Sequence, residues 1–241
     1  MGRPQRNAPI EFGYNNRAAS STKSGGKRME DFMEFYEVVS KRRTVREFQS
    51  RPVEDDKLTR VLEAGLMAPS NAHLKYWEFI LLRDREGRKN AVIEGLKARD
   101  MKSEEIENFL ASFEDEALKR VYRKSLPLQL TMMLEAPELL IVCYKIKPLN
   151  ACKRIFDLNP LASAWMCIEN IMLAMASEGL FGCTYTPYDS EELKRHLGVP
   201  DGYEIASVIP FGYPAGIPEP WDGEKLGARL HINGWLERSA K

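Results

Sequence analysis

The chain has 241 residues, and its 35 lysines and arginines are balanced by 35 aspartates and glutamates, which gives a formal net charge of zero. This balance argues against a general nucleic-acid binder, because affinity for phosphate backbones needs net or strongly patterned positive charge. The length suits one sizeable core, and 44% hydrophobic residues are ordinary for a globular domain. The most apolar run, 161–180, contains Glu169 and Glu178, so it indicates a buried helix rather than a membrane span.

Residues 1–28 differ in composition from the rest of the chain. They are rich in Pro, Asn, Ser, Gly, Lys and Arg and carry almost no periodic apolar pattern, which predicts a flexible arm. The arm lacks the apolar segment of a secretory signal, and its basic character leaves a contact role open. We therefore expect an arm over 1–28, a folded domain over 29–241 and a cytoplasmic protein with no membrane partner.

Apolar periodicity predicts helices and strands that alternate along the domain. Helices are expected over 31–43, between Pro52 and Pro69, over 127–135, over 161–179 and over 190–197; strands are expected over 78–82, 139–146, 181–185 and 204–211. The charged segment 95–130 predicts short helical pieces that form a lid, and 214–241 predicts an extended tail. Gly179 and Gly198 suit left-handed turns that end their helices. The pattern alone indicates an α+β domain.

The cysteines and histidines form no recognisable metal or redox motif. The cysteines are Cys143, Cys152, Cys167 and Cys183, and the histidines are His73, His196 and His231. Because no two cysteines are close in sequence and three lie in apolar surroundings, we interpret them as small core residues in a reducing compartment. We expect no structural metal.

The segment 41–48 places three arginines and a hydroxyl just after an amphipathic helix: Arg42, Arg43, Thr44 and Arg46. Guanidinium groups form forked, charge-assisted hydrogen bonds to phosphate, and a threonine hydroxyl often completes such a site. A basic helix end is also typical of a solvated surface that complements the helix dipole. The cluster therefore indicates a phosphate site only in combination with other segments.

Three further segments accompany the arginines. A turn-rich stretch over 68–79 leads into an apolar strand, Thr184-Tyr185-Thr186-Pro187 follows the long apolar helix, and 211–214 closes the last strand. In this order, the four segments resemble the nitroreductase superfamily of FMN-dependent oxidoreductases over about residues 33–231. The resemblance implies a nitroreductase-like fold with a central mixed sheet flanked by helices, and a homodimer with FMN near the subunit interface.

The resemblance also implies roles for individual residues. Arg42, Arg43 and Thr44 match positions that hold the FMN phosphate and ribityl chain, and Arg46 matches a basic residue near the pyrimidine edge of the flavin. Ser70, Asn71, Thr184, Tyr185 and Thr186 match positions around the flavin ring, and Ala72 and His73 match the substrate side. Lys225 or Arg229 matches a basic residue that returns to the phosphate. Without the resemblance, Ser70 and Asn71 are also typical turn residues.

No nucleophile and base pair stands out, which agrees with a family in which the flavin does the chemistry and the protein binds and tunes it. The implied activity is ping-pong hydride transfer from NADH or NADPH to a nitroaromatic or quinone-like acceptor. No glycine-rich dinucleotide fingerprint follows a strand, as expected if the nicotinamide docks transiently.

Two alternatives stay open. Ser70-Asn71-Ala72-His73 is similar to the Ser-Gly-Ala-His of the iodotyrosine deiodinase branch, which removes halide reductively from halotyrosines. The lid segment gives no convincing match to the Glu, Tyr and Lys by which that branch binds an amino acid. The other alternative is a flavin-binding protein without catalysis.

Overall fold

The computed structural model describes residues 34–145, 152–216 and 230–231, all within one compact unit, Met33–Lys241. The helices are α1 (Phe35–Lys41), α2 (Asp55–Leu66), α3 (Arg85–Asn90), α4 (Ser103–Leu110), α5 (Glu116–Ser125), α6 (Gln129–Glu135), α7 (Asn159–Ser177) and α8 (Glu191–Leu197). The strands are β1 (Trp77–Leu82), β2 (Glu138–Lys145), β3 (Phe181–Gly182) and β4 (Tyr203–Gly212). Shorter helical turns lie at Asn71–His73, Ala91–Gly95, Leu126–Leu128 and Ile155–Leu158.

The four strands form one sheet in the order β1-β2-β4-β3, and their pairings are antiparallel. A parallel bridge between Thr44 and Gly182 adds the segment after α1 to the β3 side. Every residue of β2 except Lys145 is buried, because β2 is an inner strand with helices over both faces. This explains why β2 appears in the sequence as a continuous apolar run rather than an alternating one.

Alternate residues of β2 enter two different cores, as expected from strand geometry. Leu140, Val142 and Tyr144 pack with α2 and α7, while Leu139, Ile141 and Cys143 pack with residues of α6 and α8. Two helical layers therefore enclose the sheet, and α7 is the main buried helix of one layer. The predicted α+β fold with a central sheet flanked by helices is confirmed.

Most predicted elements are present with shifted ends. Gly179 and Gly198 have φ angles of 73° and 67°, which confirms the left-handed turns after α7 and α8. The predicted strand 181–185 is interrupted, since regular pairing stops at Gly182 and resumes only as a bridge between Tyr185 and Val208. Residues 1–33, including the predicted arm, lie outside the described residues.

The predicted lid segment holds α4 and α5, which share a small core of their own. Ile106, Leu110 and Leu126 are its buried members, and the rings of Phe109, Phe113 and Tyr122 contact one another around it. The pair of helices α4 and α5 therefore has a small core of its own. Its role as a lid stays a prediction.

Cys143, Cys167 and Cys183 are buried, which confirms that they are core residues, and Cys152 is half-buried. Among the described residues, no cluster of His, Cys, Asp and Glu has the arrangement of a metal site. Within the same parts of the chain, no helix has the length and apolar character needed to cross a membrane.

Candidate functional site

The arginine cluster begins where α1 ends. The backbone N–H of Arg42 donates to the Val38 carbonyl at 2.9 Å, and this bond closes the last turn of the helix. Arg42 Nε lies 3.8 Å from Glu169 Oε1 on α7, and Arg43 donates to the carbonyl of Arg42 at 2.6 Å. Both guanidinium groups are thus half-buried and oriented by neighbours rather than extended into solvent.

The chain after these arginines lies beside β3, and we call residues 42–46 the arginine segment. Thr44 bridges to Gly182, and the Val45 N–H donates to the Gly182 carbonyl at 3.1 Å. A β-carbon on Gly182 would lie 2.9 Å from the carbonyl oxygen of Pro210 on β4, so only glycine permits this close approach of β3 to β4. Pairing with β3 brings the arginine segment next to residues 183–186.

Arg46 has a buried donor without a partner. Its Nε is enclosed and makes no hydrogen bond to any described residue. The guanidinium lies by the buried thiol of Cys183, whose pKa is raised by desolvation, while Arg46 acts in the opposite direction. The Cys183 thiol donates to the Thr184 carbonyl at 3.5 Å. Buried polar groups are nearly always paired, and the Nε donor of Arg46 has no partner among the described residues, as is also true of Arg88 Nε and Glu138 Oε2.

The turn before β1 is held in an uncommon conformation, and we call residues 70–75 the serine loop. Ala72, His73 and Lys75 have φ angles of 51°, 56° and 44°, a region that residues with a β-carbon seldom adopt. The Lys75 N–H donates to Ser70 Oγ at 3.0 Å. Such strain persists only where surrounding contacts impose it, and it is frequent at functional sites.

The serine loop is anchored to the N-terminal part of α7. The Asn71 N–H donates to Ser163 Oγ at 3.0 Å, and Asn159 Nδ2 donates to Asn71 Oδ1 at 3.4 Å. These contacts fix the loop backbone and leave Ala72 and His73 exposed.

Within one chain, the serine loop and the arginine segment are attached to different parts of α7. Ser163 anchors the serine loop, and Glu169 contacts the arginine segment. Six residues of helix separate these contacts by about 9 Å along the axis and about 120° around it. The structure therefore joins the arginine segment to residues 183–186 and attaches the serine loop to a different part of α7.

The segment Thr184-Tyr185-Thr186 is fixed through its middle residue. The Tyr185 N–H donates to Val208 O at 2.9 Å, and the Val208 N–H donates back at 2.8 Å. Thr184 and Thr186 are exposed on either side, so their hydroxyls are accessible to a ligand. Lys225 and Arg229 lie outside the described residues, and their assignment stays a prediction.

Two site residues were not predicted from the sequence. Glu169 was counted only as a polar interruption of an apolar helix, and Cys183 was interpreted only as core. The only feature of the sequence that indicated a site role for Cys183 was its position directly before Thr184.

Comparison with known proteins gives the family. Residues 39–213 match the model of the nitroreductase family, and the chain belongs to this family. The match includes the arginine segment, the serine loop and residues 184–186, which confirms the resemblance read from those segments.

Individual relatives are more distant. The chain is 28% identical over 190 residues to iodotyrosine deiodinase 1 of Rattus norvegicus, covering 76% of this chain but only 62% of the rat protein. It is also 28% identical over 184 residues to iodotyrosine deiodinase of Thermotoga neapolitana, covering 74% of this chain and 88% of that protein. A crystal structure of oxidized iodotyrosine deiodinase bound to FMN and 3-iodo-L-tyrosine has a TM-score of 0.65 at 21% identity, covering 84% of this chain and all of that one.

Proposed function

We propose that the protein is an FMN-dependent NAD(P)H oxidoreductase that reduces a nitroaromatic or quinone-like acceptor. The observation that carries the proposal is the buried, unpartnered Nε of Arg46 beside residues 183–186. An unused cationic donor in a family of flavoproteins fits the electron-rich edge of a reduced flavin.

The arginine segment fits the phosphate end of FMN. Arg42, Arg43 and the exposed hydroxyl of Thr44 supply two cations and a neutral donor within three residues, and guanidinium groups bind phosphate oxygens in a forked manner. Lys225 or Arg229 would add a further cation in this proposal. Glu169 opposes an anion here, but its carboxylate is 3.8 Å from Arg42 and largely exposed, so screening weakens its effect.

The residues around Arg46 fit the ring end of FMN. When bound, FMN supplies the acceptance of hydride from NADH or NADPH and its delivery to an acceptor. Arg46 would hold a fixed positive charge at the pyrimidine edge, and Thr184 or Thr186 would donate near the ring nitrogen that exchanges hydride. The pairing of Tyr185 with Val208 restrains this segment, so its donors need little reorganisation.

A second copy of the chain would complete the site. The arginine segment and the serine loop contact different faces of α7, which supports a dimer in which the serine loop of one copy approaches the arginine segment of the other. Exposed apolar side chains on α1 and α7 could cover such an interface: Phe35, Tyr36, Val39 and Met166. Contiguous exposed apolar patches are typical of association surfaces.

Absorption spectroscopy of the purified protein tests the proposal. FMN should give a yellow protein that NADPH or NADH bleaches without oxygen and that a nitroaromatic or quinone reoxidises. A protein that cannot take up FMN contradicts the whole proposal. A flavoprotein that no nicotinamide reduces, and that turns over neither a nitroaromatic nor a halotyrosine with another reductant, would instead be a non-catalytic flavin binder. The buried cysteines Cys143, Cys167 and Cys183 support a reducing compartment, and we therefore include a cytoplasmic location in the proposal.

Reductive dehalogenation of a halotyrosine is the second candidate. It is supported by the exposed left-handed Ala72 in Ser-Asn-Ala-His, where a backbone amide would hold a phenolate, and by the similarity to deiodinases. Adding 3-iodotyrosine to the FMN-loaded protein should quench flavin fluorescence and, with a reductant, release iodide. Absence of both, together with turnover of a nitroaromatic, rejects this candidate and leaves the first.

A further inference from the structure

A cavity of about 500 Å³ opens where β2 ends and β4 begins. Side chains from the two strands, from the N-terminal half of α7 and from the loop 186–191 line it. No residue of the arginine segment or of the serine loop lines this cavity. It is therefore separate from the proposed phosphate site and meets the proposed flavin site only at Thr186.

The cavity contains a buried hydroxyl that is available to a ligand. Tyr144 is only 2% exposed, and it lines the cavity. No described residue forms a hydrogen bond with its hydroxyl. Burial and the nearby Glu204 raise the pKa of Tyr144 to about 12, so the hydroxyl keeps its proton at neutral pH.

Three carboxylates belong to the lining of the cavity. Glu204 is the cross-strand neighbour of Tyr144, and Asp189 and Glu191 are the other two. Among the described residues, Lys194 is the cation that pairs with two of them: its Nζ lies 3.0 and 3.1 Å from the two carboxylate oxygens of Glu204 and 2.7 Å from Glu191. Three negative charges and one positive charge leave the wall negative. Anionic ligands are therefore disfavoured.

Two more aromatic rings complete the wall. Trp165 is half-buried on α7, and Tyr188 is fully exposed on the loop. Aromatic faces attract organic cations through the ring quadrupole, and tryptophan does so best. Rings and carboxylates together favour a ligand that is both apolar and positively charged.

We propose that this cavity binds an aromatic organic ammonium, with the cationic group between Glu204 and the ring of Trp165 and the hydroxyl of Tyr144 as a polar contact. The site binds such a cation whether or not the protein turns over a flavin substrate.

Isothermal titration calorimetry of the FMN-loaded full-length protein with benzyltrimethylammonium tests the site. Benzyl alcohol and phenylacetate serve as neutral and anionic comparators. The cation should bind at least tenfold more tightly than either comparator, and its affinity should fall as salt rises, because the attraction is partly electrostatic. Equal affinity for all three, or no heat with the cation, overturns the proposal.

Variants assign the contacts. Glu204→Gln should weaken binding of the probe by about tenfold, the effect of one charge-assisted contact, and Trp165→Phe should weaken it by about threefold. Glu192→Gln is the matched control on α8, since Glu192 pairs with Arg195 and does not line the cavity, and it should leave binding unchanged. If Glu204→Gln fails to fold, Asp189→Asn on the exposed loop takes its place and should also weaken binding. Equal affinity in the control and in these variants would place the probe elsewhere.

Discussion

The backbone N–H of Asn71 donates to Ser163 Oγ at 3.0 Å, and the Ser163 hydroxyl donates in turn to the Asn159 carbonyl at 2.8 Å. Ser163 is only 4% exposed, so this hydroxyl links the serine loop to α7 in a place that water barely reaches. Substitution of Ser163 therefore tests the loop without touching its own residues.

Ser163→Ala should lower the free energy of unfolding by about 1 to 3 kcal/mol, because the Asn71 N–H would lose its buried acceptor. Urea denaturation measures the change. Ser177→Ala is the control, since Ser177 makes the same type of bond to Ala174 but is exposed, and it should cost less than about 0.5 kcal/mol. Equal costs in the two variants would mean that the Ser163 bond is not buried in solution.

The arginine segment shows what the sequence could predict. Apolar residues at helical spacing predict a helix over 31–43 with the arginines at its C-terminal end, and the observed helix is shorter, Phe35–Lys41, with the arginines directly after it. Gly179 and Gly198 likewise marked the ends of α7 and α8 correctly, because a left-handed residue after a helix is a local requirement that glycine meets.

The contacts of Arg42 and Arg46 could not be predicted in the same way. Arg42 reaches Glu169 because α1 packs on α7, and Arg46 reaches Cys183 because the arginine segment pairs with β3. That pairing joins residues far apart in the chain, and periodicity carries no information about which distant segments meet. The lid helices were also poorly bounded, since α5 buries none of its residues and its pattern is mostly charge.

Arg42→Ala should weaken FMN binding by about 1.5 to 3 kcal/mol, which is the usual range for a hydrogen bond to a charged group. Fluorescence titration of the apoprotein with FMN measures it. Lys41→Ala is the neighbouring control, because Lys41 pairs with Glu37 on α1 and should leave FMN affinity within about twofold, as for other surface changes. Unchanged affinity in Arg42→Ala would remove Arg42 from the phosphate site.

Arg46→Ala should lower the midpoint potential of the bound flavin more than it lowers FMN affinity, because a fixed cation favours the electron-rich reduced ring. Arg46→Lys separates charge from geometry, since lysine keeps the charge but has no planar Nε donor. A spectroelectrochemical titration of both variants gives the potentials. The role assigned to Arg46 does not survive if Arg46→Ala leaves the potential unshifted.

Gly65→Ala should destabilise the protein by about 1 to 3 kcal/mol, the usual cost of overpacking a core. A β-carbon at Gly65 would lie 2.6 Å from Ile171 Cγ1, at the contact of α2 with α7. Gly216→Ala is the control, because nothing lies within 4 Å of a β-carbon there. Thermal unfolding should separate the two variants, and a Gly65→Ala protein as stable as the control would show that α2 and α7 can move apart freely.

Stability should fall in alkali because of buried thiols. Burial raises the pKa of Cys167 from 9.0 to about 12, so the folded protein keeps this thiol protonated while the unfolded chain ionises above about pH 9. The unfolded state then binds fewer protons, and its relative free energy falls as pH rises from 9 towards 12, by about 1.4 kcal/mol for each pH unit. The contribution of the neutral thiol to stability is complete below pH 9.

Urea denaturation at pH 8 and pH 10 tests this expectation. Between these pH values, the loss of unfolding free energy should be about 1 kcal/mol smaller in Cys167→Ala than in the native protein. The packing cost of the substitution is present at both pH values and cancels from this difference. An equal loss in the two proteins would show that the Cys167 thiol ionises as readily in the folded state as in the unfolded one.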